Sequence, residues 1–395
     1  MKRVIFCWEL GGNYGHITSF IGLAQAFKAR GCELVFVLRD LKYAHLLGEG
    51  VSCVQAPVPK SVPVKRDAYS YTGILASIGY LNCNVLTDYV DSWRRLLLDH
   101  QADLVIVDHA PTPILAARTL AIPVAAIGTG FVIPPFVDAQ YPWFQSQQFE
   151  PVANLDNKVL SSINYAVTRL GGIGLNNLGD IFADTTRFLC TLPELDHYGI
   201  RSCIDYWGPL FSADQGIEPR WPDVSGARIF AYLTPKLANL EQVVTALAQS
   251  PGAKLLHLPG ATEEQCQAWS NPSLKIEAQP VNMSQVLDVV DMVVSQGGMG
   301  VSSQCVLAGV RHVIIPTQME QAMLARRLSA MGLAYVAGVG AAVEEYEALF
   351  SKALACELLS QNSRLLAKKY KGFAQKEQVE AMVEGMLDLL LPDGE

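Results

Sequence analysis

The 395-residue sequence has no C-x-x-C pair and no Cys/His cluster at metal-ligand spacing; its nine cysteines are scattered singly. An odd number cannot close completely into intramolecular disulfides, so reduced, mostly buried thiols are expected. Charge is also scarce. Only 17% of residues are charged while 50% are apolar, which excludes a disordered chain. No basic run offsets the net charge of −8, which excludes a general nucleic-acid binder, whose phosphate contacts need clustered Lys and Arg. An Asp-x-Asp pair at a strand end, the usual holder of a divalent ion between phosphates, is missing too, so no metal is expected. Finally, no apolar run is long enough to span a bilayer. The opening stretch 1–8 is cut short by Glu9 and a Gly-rich turn, and Leu120 to Val137 is broken by Pro123, Gly128, Gly130, Pro134 and Pro135. A cytoplasmic protein without an integral membrane segment is expected. Peripheral contact through the Pro-rich stretch Ile127 to Val137 stays open.

What is present is an alternation of short apolar runs, bounded by turn residues, with longer helix-period segments. Val4 to Trp8, Glu33 to Leu38, Leu104 to Val107 and Val124 to Ile127 read as strands buried on both faces. Ser19 to Arg30, Asn84 to His100 and Pro113 to Leu120 read as the helices between them. A second series follows: Arg228 to Leu233, Lys254 to Leu258, Leu274 to Glu277, Met292 to Val294 and His312 to Ile315. The pattern predicts an α/β chain of two Rossmann-like, doubly wound parallel-sheet domains, with the boundary in the Asp/Pro/Gly/Ser-rich segment near residue 215. The segment 351–391 is helical in composition, with a break around Lys371-Gly372.

Two glycine-rich turns follow strands directly. In Ser295-Gln296-Gly297-Gly298-Met299-Gly300-Val301-Ser302-Ser303 a strand, a small-residue turn and a helix start succeed one another. Such a turn lets backbone N–H groups approach a phosphate at the positive end of a helix, with Gln296, Ser302 and Ser303 as side-chain donors. The same glycines also suit close helix–sheet packing. The next strand ends in Pro316-Thr317-Gln318-Met319-Glu320-Gln321, so Glu320 and Gln321 are candidates for binding sugar hydroxyls beside a diphosphate. In the first half, Gly11-Gly12-Asn13-Tyr14-Gly15-His16 follows the opening strand. His16 is a candidate general base, neutral near pH 7. Asp108, after the strand 104–107, is a candidate to orient it, or else a cap for the next helix. His109 is the weaker base, lacks a glycine turn of its own, and is expected to point elsewhere.

The run from Ser295-Gln296-Gly297-Gly298 through Ala308-Gly309-Val310, Ile314-Ile315-Pro316 and Glu320-Gln321 to Ala325 and Gly332 resembles the UDP-dependent glycosyltransferases of GT-B fold, which include macrolide, flavonoid and sterol glycosyltransferases. The family usually has His-Gly-Gly at the turn and Asp-Gln at the second site; here Gln296 and Glu320 stand instead. The resemblance implies two domains facing a cleft: residues 1–214 for the acceptor, 215–375 for the nucleotide sugar, and a C-terminal helix, 376–395, packing back on the first. It implies donor contacts from Gln296, Gly297, Gly298, Gly300, Val301, Ser302, Glu320 and Gln321, a point charge from Lys236, and base recognition by the backbone around Val281. On the acceptor side it implies Gly12, Asn13 and Gly15 beside the catalytic His16 and Asp108. The activity implied is inverting, metal-independent transfer from a UDP- or dTDP-sugar, as co-substrate rather than cofactor, to a small-molecule or lipid hydroxyl. The rival readings are a non-catalytic nucleotide-sugar-binding or activator protein of the same fold and a nucleotide-sugar epimerase.

Overall fold

The computed structural model describes residues 1–12, 15–48, 51–58, 68–144, 153–211 and 216–391. The contacts divide the chain into two units, Met1–Leu210 with Ala374–Glu395, and Phe211–Phe373. The boundary expected near residue 215 lies outside the described residues.

The first unit holds β1 (Arg3–Trp8), β2 (Glu33–Leu38), β3 (Ser52–Gln55), β4 (Leu104–Asp108), β5 (Val124–Gly128) and β6 (Thr185–Leu189), all parallel, in the order β3-β2-β1-β4-β5-β6. Its helices are α1 (Gly15–Ala29), α2 (Tyr71–Ser77), α3 (Cys83–Asp99), α4 (Pro111–Arg118) and α5 (Ala153–Arg169). The second unit repeats this plan with β7 (Arg228–Tyr232), β8 (Ala253–His257), β9 (Leu274–Glu277), β10 (Met292–Ser295), β11 (Arg311–Ile314) and β12 (Ala334–Val336), in the order β12-β11-β10-β7-β8-β9. Its helices are α6 (Leu240–Gln249), α7 (Glu263–Trp269), α8 (Met283–Leu287), α9 (Met299–Ala308), α10 (Met319–Ala330), α11 (Val343–Ala355) and α12 (Glu357–Lys369). Each sheet therefore has the doubly wound order in which crossovers leave the first strand in opposite directions. The crevices open at the carboxyl ends of β1 and β4, and of β7 and β10.

Burial explains the strands: Val4 to Cys7 and Leu104 to Ile106 are completely inaccessible, as strands covered by helices on both faces must be. The last helix, α13 (Gln375–Asp388), belongs to the first unit and places Val379, Met382, Val383 and Met386 in the core formed by Phe6, Ile17, Phe20 and Phe27. Burying four such side chains is worth roughly 6–12 kcal/mol gross. The partly exposed ion pair from Arg30 to Glu380 on the same helix adds no more than about 1 kcal/mol, so apolar packing decides where α13 goes. Among the described residues, no helix is long and apolar enough to cross a membrane.

Candidate functional site

In the first unit, Trp8 and Asp108 are register partners at the carboxyl ends of β1 and β4. The chain leaving β1 turns at Gly11 (φ +80°) and enters α1 at Gly15, four residues earlier than the helix expected at Ser19, so His16 lies in the first turn. His16 Nδ1 is 2.9 Å from Asp108 Oδ2, and Ser19 Oγ lies 2.8 Å from the His16 carbonyl oxygen and 3.4 Å from the same carboxylate oxygen. The Trp8 indole stacks on the imidazole, with centroids 5.2 Å apart. A Cβ on Gly11 would stand 2.5 Å from His16 Nε2, so only glycine fits beneath the ring. The Asp108 side chain is 7% exposed and that of His16 20%. A carboxylate on Nδ1 fixes the proton there and makes Nε2 the basic nitrogen of the ring. Gly12 and Gly15 have open space where a Cβ would stand. Asn13 lies outside the described residues.

Two neighbours of this pair do more than the sequence predicts. Glu9, which ends the opening apolar run, is 2% exposed. Its carboxylate accepts from Thr112 N (2.8 Å) and Thr112 Oγ1 (2.5 Å) at the start of α4, and Thr112 Oγ1 also meets Tyr80 OH (2.8 Å). Burial outweighs these donors and pushes the carboxyl up to about 7. His109, expected to point elsewhere, has φ +46° and brings its ring within 6.3 Å of that of His16. Burial, with His16 and Arg39 nearby, pushes its imidazolium down to about 3.

In the second unit, Tyr232 and Ser295 are partners at the ends of β7 and β10. Gly297 (φ +80°) forms the turn, and a Cβ there would meet Ile314 Cγ2 at 2.5 Å. Its N–H donates to Ser295 Oγ (3.0 Å), which is 2.8 Å from His312 Nε2. That amide, expected to face a phosphate, is thus spent inside the turn. Gly298 differs: it caps α9 with no side-chain cap bond, and a Cβ on it or on Gly300 would meet nothing within 4 Å. The first turn of α9 therefore has room beside Gly298 and Gly300.

Gln296 uses both ends of its amide. Oε1 accepts from Thr234 N (3.1 Å) and Nε2 donates to Thr317 Oγ1 (2.9 Å), tying together the ends of β7, β10 and β11. Gln321 Oε1 accepts from Thr317 N (2.9 Å) and Gln318 N (3.2 Å) as the cap of α10. Glu320 is half-buried in the first turn of α10. Ser302 and Ser303 are fully buried, Val301 packs against a cluster containing Phe230 and Val281, and Lys236 is exposed. Val281 itself is 7% exposed; flanking it, Pro280 O accepts from Ile217 N and Asn282 N donates to Ile217 O, both at 2.8 Å. The structure thus gathers Gln296, Gly298, Gly300 and Glu320 at one end of the second sheet, and turns Ser302 and the Val281 side chain inward.

No family model matches the chain. In sequence it is 24% identical over 350 residues, covering 81% of this chain and 73% of the relative, to the PGL/p-HBAD biosynthesis rhamnosyltransferase of Mycobacterium bovis (strain BCG / Pasteur 1173P2). Among solved structures, the calicheamicin glycosyltransferase CalG4 matches with a TM-score of 0.73 and 18% identity, covering 99% of each chain. The spinosyn rhamnosyltransferase SpnG matches with a TM-score of 0.68 and 15% identity over 98% of this chain and 100% of its own. The chain has the GT-B fold of glycosyltransferases. Of these GT-B neighbours, SpnG has been solved with thymidine diphosphate and with spinosyn aglycone.

Proposed function

We propose that this GT-B chain is a glycosyltransferase that moves a sugar, with inversion, from a nucleoside-diphospho-sugar of the dTDP or UDP type to a hydroxyl of an acceptor molecule. The observation that carries the reading is the His16–Asp108 pair at the carboxyl ends of β1 and β4, with Nε2 over a glycine that admits no side chain. As the acceptor oxygen bonds to the anomeric carbon, its proton passes to His16 Nε2 and the imidazolium is held by Asp108. The anomeric carbon–phosphate oxygen bond breaks, and the nucleoside diphosphate leaves with the electron pair. In this reading the positive start of α9, the open side of Gly298 and the second N–H of the Gln296 amide receive that charge, so that preorganised dipoles carry it without a metal. Glu320 accepts from a sugar hydroxyl. The names of the relatives favour a deoxysugar donor such as dTDP-rhamnose.

The test is dTDP release from dTDP-rhamnose in the presence of a panel of hydroxyl acceptors, followed by chromatography. His16→Ala should lower release by about 10²–10⁴-fold while dTDP still raises the melting temperature. Binding of dTDP with no His16-dependent release would instead identify a nucleotide-sugar-binding module.

A further inference from the structure

The register between β1 and β4 ends at the Trp8–Asp108 pair, so the chain from Glu9 to Gly11, which passes under the His16 ring, lies beyond the cross-links of the sheet. Other bonds hold it. Leu10 N donates to the His109 carbonyl oxygen at 2.9 Å, and the Glu9 carboxylate accepts from Thr112 N at 2.8 Å and Thr112 Oγ1 at 2.5 Å in the first turn of α4. Arg39 Nη1 donates to the Glu9 carbonyl oxygen at 2.8 Å from the end of β2. Side chains alternate along a strand. Trp8 accordingly packs with Ile17 and Phe20 of α1 and stacks on His16, whereas Glu9 turns to the other face, toward Thr112 and Tyr80. The exit of β1 is thus gripped from both sides, by the imidazole stack on one and by the carboxylate on the other. Glu9 is 2% exposed and Thr112 0%, so water does not compete for the link between them. Burying an acid is costly where an apolar side chain could fill the same space, and what this acid supplies is a tie between the segment under His16 and the segment that follows Asp108.

We propose that Glu9 is a positioning residue for the base: by tying the turn under His16 to the start of α4, it keeps His16 Nδ1 on Asp108 and Nε2 in place for the acceptor proton. It touches neither substrate nor the imidazole and acts through Leu10 and Gly11. With the tie cut, the turn shifts and the ring is released to the tautomer protonated on Nε2, which cannot accept a proton there. A displacement of about 1 Å in a reacting group costs on the order of a hundredfold in rate. The proposal rests on the glycosyltransferase reading for its chemistry and goes beyond it in assigning a residue that sets the geometry of the base.

The test compares Glu9→Gln, whose amide oxygen still accepts from Thr112 N and whose amide nitrogen meets Thr112 Oγ1, with Glu9→Met, which fills the space and breaks both bonds. Long-range nitrogen-15 spectra of histidine-labelled protein, with His16 assigned by its absence from His16→Ala, report the tautomer at about pH 8, where an ordinary imidazole is neutral. Wild type and Glu9→Gln should show His16 protonated on Nδ1. Glu9→Met should show both tautomers, and its kcat for transfer from dTDP-rhamnose should fall about tenfold to a hundredfold with the KM for the donor unchanged. A merely structural Glu9 would lower the melting temperature and leave the tautomer and kcat of the folded protein alone. If Glu9→Met does not fold, Thr112→Val, which keeps the amide and sets a methyl group against Glu9 Oε1, decides instead and should show the same mixture. The proposal is overturned if wild-type His16 is not protonated on Nδ1, if the folded variant that breaks the tie keeps the wild-type tautomer, or if Glu9→Gln loses it. The spectra need no substrate, so a protein with the expected tautomers but no transfer to any acceptor overturns the glycosyltransferase reading and not the tie.

Discussion

Glu9→Gln tests the energetics of the buried Glu9–Thr112–Tyr80 network most directly. The carboxyl is fully enclosed, and two forces act on it in opposite directions: burial favours the neutral acid, whereas the donors Thr112 N, Thr112 Oγ1 and Tyr89 favour the anion. Burial wins, moving the group from its ordinary value near 4.5 to about 7. The folded-state value is then above the unfolded one, so the native chain binds more protons than the unfolded chain between those limits. The resulting stabilisation is complete below about pH 4.5 and is lost as pH rises through 7. A displacement of about 2.5 units at about 1.4 kcal/mol each makes the loss about 3 kcal/mol. Glutamine imitates the protonated acid at every pH, so the stability of Glu9→Gln relative to wild type should climb by that amount between pH 4.5 and 8. For a unit of roughly 230 residues this is about 6–12 °C in melting temperature. Scanning calorimetry of both proteins at half-unit pH steps would show it. Parallel curves, with a constant difference between variant and wild type, would mean that the donors win and Glu9 is ionised throughout, refuting the reasoning.

Gly298→Val should fold as wild type does, because φ −61° and ψ 144° suit valine and a Cβ meets nothing within 4 Å, yet it should lose the rise in melting temperature that dTDP gives; a normal response to dTDP would remove the assigned phosphate site. Gly297→Ala should do the reverse, since φ +80° and the 2.5 Å approach to Ile314 cost the second unit about 1–3 kcal/mol; a wild-type melting profile would contradict the turn described. Gln296→Glu exchanges the donor that holds Thr317 for a negative charge beside the diphosphate, so the Kd for dTDP should rise about tenfold to a hundredfold and depend on salt. An unchanged Kd by calorimetry would separate Gln296 from the donor site.

The central strands of both sheets were legible because strands covered on both faces are written as unbroken apolar runs, as in Val4 to Trp8 and Leu104 to Val107. The strands that went unread are β3, β6 and β12, which lie at the sheet edges and carry residues such as Ser52, Thr186, Arg187 and Val336 on partly or fully exposed positions. Such strands are defined by pairing with a neighbour rather than by their own pattern. The start of α4 shows the same limit from another side. It begins at Pro111, two residues before the expected Pro113, where the Thr112 amide is satisfied by Glu9, 103 residues away in sequence. No local signal reports a cap supplied from that distance.

In the site, residue types were legible but the use of their hydrogen bonds was not. The glycine turns, His16 and Asp108 announce themselves by following strands directly, and the doubly wound order brings strand ends 8 and 108 together. Whether a donor or acceptor is available to a ligand depends on what else it meets. Gly297 N is taken by Ser295, one N–H of Gln296 by Thr317, and Gln321 Oε1 by the cap of α10. These internal bonds make the turn rigid before any ligand arrives, and rigidity is what electrostatic stabilisation of a leaving group requires, since dipoles that must reorganise during the reaction lose most of their effect. Gln296, where the glycosyltransferases that this run resembles usually have His, is therefore best understood through geometry. A side chain with an acceptor at one end and two N–H donors at the other can bind both Thr234 and Thr317 and still keep one N–H, which a singly protonated imidazole cannot do.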